Sequence, residues 1–140
     1  SQSTFLEYHQ INGTRDYSAF LTLPTAKEFM KTYNWSKVAS DCRKLVQQNA
    51  PAFCELLGTT PLAPINDDFI LQLFSAEIKT SEPEKLYRHF FDNYKIEIPV
   101  MRHADNVYLR YSINAFNSQQ DLDILFGAIK EIKTKTDLIK

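Results

Sequence analysis

One stretch of the chain combines strand-like alternation with a charged group in a position suited to binding. Residues 107–114 alternate apolar and polar side chains, which is typical of a β-strand with two different faces. One face carries Val107, Leu109, Tyr111 and Ile113, and the other carries Tyr108, Arg110, Ser112 and Asn114. The planar guanidinium of Arg110 can bond both oxygens of a carboxylate at once, so a carboxylate-binding cleft is one interpretation. A structural salt bridge to a neighbouring acid is the other.

A second candidate is the turn Gly13-Thr14-Arg15-Asp16, which precedes the first long helical pattern. Unpaired backbone N–H groups, a hydroxyl and a cation near a helix N-terminus suit an anion such as phosphate. The turn alone favours a simpler role, in which Thr14 or Asp16 caps the helix.

Composition and charge limit the possible functions. The 140 residues fit a single domain with a real core, and the net charge of -1 gives no basic surface for nucleic acid. No apolar run approaches the length of a membrane span, so no membrane association is predicted. Cys42 and Cys54 are too few for a disulfide framework and lack metal-ligand spacing, which favours a cytoplasmic protein. Three glycines in the whole chain exclude a glycine-rich phosphate loop.

Helical and strand-like patterns follow one another along the chain. A helical pattern runs from Tyr17 to Tyr33, with Pro24 expected to kink or divide it. A second runs from about Ser36 to Leu57, with Gly58 as C-cap. The residues predicted to share the apolar side of the first helix are Phe20, Leu23, Ala26, Phe29 and Met30.

The remaining elements follow a loop over residues 59–67. Residues 69–74 are predicted to form a strand covered on both faces. A capping box at residues 81–84 is predicted to start a helix, whose inward residues are Leu86, Tyr87, Phe90 and Phe91. A strand over residues 96–100, a turn near 104–106 and the Arg110 strand come next. Ser118 and Asp121 then signal the start of the last helix. This order predicts an α+β fold: a small, mostly antiparallel sheet covered by helices on one face.

Three blocks of the sequence carry a family resemblance. Residues 13–21 (Gly-Thr-Arg-Asp-Tyr-Ser-Ala-Phe-Leu, followed by Pro24 and Ala26), residues 94–100 and residues 109–118 keep their order and approximate spacing. Together they resemble the class V aminotransferase family of pyridoxal-phosphate enzymes (fold type I), in the branch of the isopenicillin N epimerase-like proteins. The resemblance therefore implies the small C-terminal domain of such an enzyme.

The resemblance implies roles for individual residues. Gly13 and Thr14 match a turn whose threonine contacts the cofactor phosphate in the neighbouring subunit's active site. Arg110 matches the arginine that binds the α-carboxylate of the substrate. Asn117 matches the asparagine of a turn, where it acts as a turn and cap residue. Arg15 and Asp16 match the branch without an assigned role.

The resemblance also implies that parts of the enzyme lie outside this chain. The family holds pyridoxal phosphate on a lysine upstream of the Gly-Thr turn, whereas twelve residues precede Gly13 and no lysine here lies in such a motif. Residues 1–17 are then the remnant of the large cofactor domain, 18–35 the connecting helix and 36–140 the C-terminal small domain. The implied partners are the protein's own N-terminal large domain, a second subunit and an amino-acid-like substrate. The chain alone is not expected to catalyse a reaction.

Other residues help to choose among branches. Cysteine desulfurases of the family carry a cysteine in the loop before the arginine strand, and residues 101–105 contain none. Cys42 and Cys54 are predicted to be buried packing residues, and His103 a solvated turn residue.

Two functions follow. The first is a fragment of an enzyme that acts at the α-carbon by epimerisation, transamination or a related elimination. The second is a free-standing, non-catalytic α+β ligand-binding or interaction module, with Arg110 in a regulatory carboxylate site.

Overall fold

A computed structural model describes residues 4–10, 13–14 and 16–140, and the chain divides into two compact units, Ser1–Trp35 and Ser36–Lys140. The first unit contains the helices α1 (Thr4–Gln10), α2 (Ser18–Leu21) and α3 (Leu23–Thr32). Pro24 stands in the first turn of α3, where the N–H that it lacks would have had no helical partner. The predicted division of this helical stretch is therefore confirmed.

The helices α2 and α3 contain no buried residue. The large apolar side chains of the predicted stripe are about half exposed: Phe20 52%, Leu23 56%, Phe29 51% and Met30 47%. The Phe29 ring does contact the rings of Tyr33 and Trp35, with centroids 4.5 and 5.9 Å apart. The apolar stripe thus exists as a surface of the first unit and forms no core there.

The second unit is an α+β domain. Its elements are α4 (Trp35–Leu57, which begins in the last residue of the first unit), β1 (Leu73–Ile78), α5 (Pro83–Tyr94), β2 (Val100–His103), β3 (Asn106–Ser112) and α6 (Gln119–Lys135). The strands form one sheet in the order β1-β3-β2, and both pairings are antiparallel. The predicted α+β fold with a small antiparallel sheet is confirmed.

One face of the sheet lies against the core. Alternate residues of β1 and β3 are buried there together with residues from α4, α5 and α6, and all belong to one apolar cluster. The sheet contributes Phe74, Ala76, Ile78, Val107, Leu109 and Tyr111 to this cluster. The opposite face carries polar side chains that retain solvent access, among them Ser75, Glu77 and Arg110. Helices therefore cover one face, and strand alternation decides which side chains remain outside.

The prediction of a doubly covered strand over residues 69–74 is wrong. The strand β1 begins only at Leu73, and Phe69 and Leu71 are 60% and 55% exposed. Asn66 turns the chain just before, because its carbonyl accepts hydrogen bonds from the N–H groups of Phe69 and Ile70 and its side chain accepts one from Asp68. This local turn chemistry prevents residues 66–70 from extending.

Two further boundaries differ from the predictions. The helix α5 begins at Pro83, but no capping box forms; Thr80 Oγ1 instead accepts a hydrogen bond from the N–H of Glu82. Tyr87 and Phe91 of α5 are 37% and 47% exposed, although the sequence pattern placed them inward. The strand predicted over residues 96–100 starts only at Val100, and residues 95–99 are irregular.

Gly58 ends α4 as the sequence predicts. Its φ is +70°, its N–H bonds the carbonyl of Glu55 at 3.1 Å, and the N–H of Thr59 bonds the carbonyl of Cys54 at 3.0 Å. This pair of bonds is a Schellman ending, which requires the left-handed conformation at its glycine.

We expect Gly58→Ala to lower the free energy of unfolding by about 1–2 kcal/mol, because an L side chain is strained at this φ. Gly127→Ala is the matched control: Gly127 lies inside α6 and no heavy atom lies within 4 Å of an added Cβ, so alanine should stabilise by about 0.5–1 kcal/mol. Urea unfolding of both variants measures the difference. A loss of stability for Gly127→Ala, or none for Gly58→Ala, would contradict this account.

Among the described residues, no helix combines the length and the apolar character needed to cross a bilayer. Within the same residues, no group of three or more histidine, cysteine, aspartate or glutamate side chains is placed to hold a metal ion.

A candidate carboxylate-binding cavity around Arg110

A cavity of about 400 Å³ opens beside Arg110, within the second unit. Its walls come from the end of β3 and the turn that follows it, from residues 96–99, and from the first turns of α6. Its lining residues of polar or charged type are Glu97, Arg110, Tyr111, Ser112, Asn114, Asn117 and Asp121, and the exposed Phe116 lies among them. The cavity therefore contains the strand that the sequence singled out.

The sheet register places Arg110 in the middle of the outer face. It lies opposite Ser75 of β1 on one side, and on the other side its N–H donates to the carbonyl of Pro99 at 3.2 Å. Side chains opposite each other in antiparallel strands share a face. The residues directly opposite Arg110 are therefore an uncharged serine and a proline, and Glu77, the acid of β1 on this face, lies diagonal to Arg110 without forming an ion pair with it.

Arg110 has no protein partner among the described residues. It forms no ion pair and no side-chain hydrogen bond, and its Nε is buried without a partner. A buried donor left unsatisfied costs about 1–3 kcal/mol, and more when it is charged. The salt-bridge interpretation of Arg110 thus finds no partner acid in the described structure, whereas a bound carboxylate would satisfy the orphaned donor.

The turn at residues 114–117 fixes one rim of the cavity. The N–H of Asn117 donates to the carbonyl of Asn114 at 2.9 Å, and the Asn117 side-chain oxygen accepts from the Asn114 N–H at 3.0 Å. The Asp121 carboxylate accepts from the N–H of Ser118 at 2.7 Å and from its hydroxyl at 3.1 Å. The predicted turn role of Asn117 and the predicted start of α6 are confirmed, and both keep this rim in place.

Tyr111 anchors the strand from the core side. Its hydroxyl donates a buried hydrogen bond to the carbonyl of Val46 at 3.1 Å, and its ring meets Phe53 edge to face with centroids 5.0 Å apart. Burial, followed by the proximity of Cys54, raises the pKa of Tyr111 well above its ordinary value. The residue next to Arg110 is therefore held to α4, which fixes the strand that presents the guanidinium.

We expect Tyr111→Phe to lower the free energy of unfolding by about 1 kcal/mol at pH 7, because the Val46 carbonyl loses its donor. The raised pKa means that only the unfolded tyrosine ionises as the pH rises past about 10, which destabilises the wild type but not the variant. The difference in stability between the two proteins should therefore shrink above that pH. Urea unfolding between pH 7 and 11 tests this, and a constant difference would contradict it.

Gly13 and Thr14 belong to the first unit, and Arg110 to the second. Gly13 has a φ of +69°, which suits glycine, and Thr14 is exposed with no side-chain hydrogen bond to any described residue. Arg15 lies outside the described residues. Asp16 accepts hydrogen bonds from the N–H and the hydroxyl of Ser18 at 2.8 and 2.7 Å, which hold the pKa of Asp16 below its ordinary value. Asp16 thus supports the start of α2 locally, as the capping interpretation expects.

The cysteines and His103 have the predicted surroundings. Cys42 and Cys54 are buried free thiols, and burial raises the pKa of the Cys54 thiol. His103 is exposed at the end of β2, beside the turn. The packing role predicted for the two cysteines is confirmed.

Glu97 is a cavity residue that the sequence pattern did not single out. Glu97 lies two residues before Pro99, in the block of residues 94–100 that carries the family resemblance. The sequence showed no positively charged residue that its carboxylate would pair with. Its place in the cavity depends on how the irregular residues 95–99 run beside the end of β3, which no local pattern in the sequence specifies.

Comparison with known proteins gives a distant likeness. No protein-family model matches the chain. It is similar to the isopenicillin N epimerase of Amycolatopsis lactamdurans, with 23% identity over 124 residues, which cover 88% of this chain and 31% of that protein. The chain therefore spans about a third of the length of this relative. This likeness is distant and partial.

Proposed function

We propose that this chain is the C-terminal part of a pyridoxal-phosphate enzyme that acts at the α-carbon of an amino-acid-like substrate, and that Arg110 binds the substrate's α-carboxylate. The observation that carries the proposal is that Arg110 lines an open cavity and forms no ion pair or side-chain hydrogen bond with a described residue. The partial similarity to an isopenicillin N epimerase supports it. Residues 1–17 then belong to the large cofactor domain, 18–35 connect the domains and 36–140 form the small domain.

Arg110 performs binding and orientation in this proposal. The guanidinium donates two parallel, charge-assisted hydrogen bonds to the carboxylate, which fixes the substrate's direction as well as its position. Holding the carboxylate in this way would fix the orientation of the α-carbon and its bonds. The cofactor, when bound, supplies the electron sink that stabilises a carbanion at the α-carbon.

The described residues fit one part of a cofactor site. The Thr14 hydroxyl is exposed and uncommitted, so it can donate to a phosphate oxygen, and Gly13 takes up the left-handed turn before it. In this proposal that contact reaches the active site of a second subunit, which makes the enzyme a homodimer. In this proposal the lysine that would hold the cofactor belongs to an N-terminal domain, and none of the residues that line the Arg110 cavity is a lysine.

The test uses the 140-residue chain labelled with ¹⁵N and two ligands that differ at one group. Norleucine carries a carboxylate, and norleucinamide carries a neutral amide in its place. We expect norleucine to cause saturable shifts of amide signals around Arg110 and Asn114, and norleucinamide to cause none, because the guanidinium requires an anion. Equal effects of the two ligands, or no binding of either, would overturn the assignment of Arg110.

The second candidate is a free-standing ligand-binding module. It is favoured by the fact that the cavity and its arginine lie entirely within the second unit. The two functions differ in one readily observed property of the intact protein. The enzyme would be yellow and bleached by hydroxylamine, whereas the module would bind carboxylates without colour.

A further inference from the structure

We propose that Glu97 makes the Arg110 cavity selective for amino acids that carry a second, positively charged group, such as those with a basic side chain. This inference rests on the proposed function, because it takes Arg110 as the site of the α-carboxylate. Glu97 is then a specificity-determining residue of the same cavity.

The position of Glu97 follows from the path of residues 96–99 beside the end of β3. Val100 lies opposite Leu109, and the Arg110 N–H bonds the Pro99 carbonyl. Strand pairing begins only at Val100, and residues 95–99 lie beside the end of β3 without strand structure; Glu97 and Ser112 both belong to the cavity lining. Ile98 is 3% exposed and Tyr111 5% exposed, so both face the core, whereas Glu97 is exposed. Glu97 is therefore a solvent-accessible acid in the lining of the cavity that Arg110 also lines.

The two opposite charges line the same cavity without neutralising each other. Glu97, like Arg110, forms no ion pair and no side-chain hydrogen bond with any residue that the structure describes. Asp121 adds a second negative charge to the cavity wall, although its carboxylate already accepts two hydrogen bonds from Ser118. Acidic side chains near Arg110 repel a carboxylate, so they would not raise the affinity of a cavity that bound only a carboxylate.

A ligand with two separated charges uses both groups. Its carboxylate lies on Arg110, and its distal ammonium or guanidinium lies towards Glu97, each pairing with the opposite charge. An extended basic side chain carries its positive charge several bonds away from the carboxylate, so the two charged groups can pair with Glu97 and Arg110 separately. A ligand with a distal carboxylate meets repulsion at the same place, so the expected preference has a definite sign.

The experiment compares three amino acids of matched length on the 140-residue chain by ¹⁵N chemical-shift titration. Norleucine has an uncharged end, lysine a distal ammonium and 2-aminoadipate a distal carboxylate. We expect lysine to bind about 2- to 5-fold more tightly than norleucine, as a partly exposed ion pair provides, and 2-aminoadipate to bind more weakly. Glu97→Gln should bring the affinities for lysine and norleucine together, while the control Glu55→Gln, on an exposed position of α4, should leave the preference unchanged.

The outcomes separate this inference from the proposed function. If norleucine binds in an Arg110-dependent manner but lysine has no advantage, the role of Glu97 is refuted and the carboxylate site stands. The same holds if the lysine preference survives in Glu97→Gln. If norleucine does not bind the wild-type chain at all, the proposed function fails.

Discussion

Arg110→Gln is expected to weaken the binding of norleucine to this chain by about 10- to 150-fold, so that its titration no longer saturates. Hydrogen bonds to a charged group contribute about 1.5–3 kcal/mol, and glutamine offers neither the charge nor the parallel pair of donors. The loss should be large because Arg110 has no ion pair with a described residue, so no protein acid competes with the ligand for the guanidinium. The measurement is the norleucine dissociation constant from chemical-shift titration.

Two matched variants distinguish a binding role from a general effect of charge. Arg110→Lys keeps the positive charge but loses the planar fork, so we expect an intermediate affinity. Arg102→Gln removes an exposed arginine from β2 of the same sheet and should leave the affinity unchanged. If Arg102→Gln weakened norleucine binding as much as Arg110→Gln, the effect would be one of net charge, and Arg110 would lose its assignment.

Phe53→Ala is expected to lower the free energy of unfolding by about 3–5 kcal/mol, a large share of the stability of a domain of this size. The Phe53 side chain is fully buried. Its ring lies 5.0 Å from that of Tyr111, 5.6 Å from that of Phe126 and 6.2 Å from that of Phe74, measured between centroids. Truncation would open a cavity between α4, the sheet and α6. Urea or thermal unfolding measures the loss.

Phe69→Ala is the control for this stability prediction. Phe69 is 60% exposed in the loop before β1, so its truncation should change the free energy of unfolding by well under half of the Phe53 effect. Comparable losses for the two variants would show that the described core is not where the domain derives its stability.

The sequence determined the features that depend on neighbours along the chain. Period-two alternation over residues 107–114 placed Leu109 and Tyr111 on the core face and Arg110 on the other, as the burial shows. Gly58 and the Ser118–Asp121 pair marked helix ends because capping involves groups a few residues apart. The α+β fold followed from these elements in order.

Only the tertiary structure decided features that depend on residues distant in sequence. The apolar run at residues 69–74 looked like a buried strand, but the Asn66 turn and the pairing with β3 moved the strand to Leu73. Whether Arg110 meets an acid, and that Glu97 lies beside it without an ion pair, could not be read from spacing. A charged side chain forms an ion pair only if the fold brings an opposite charge within a few ångströms of it. The local sequence pattern does not specify those distances.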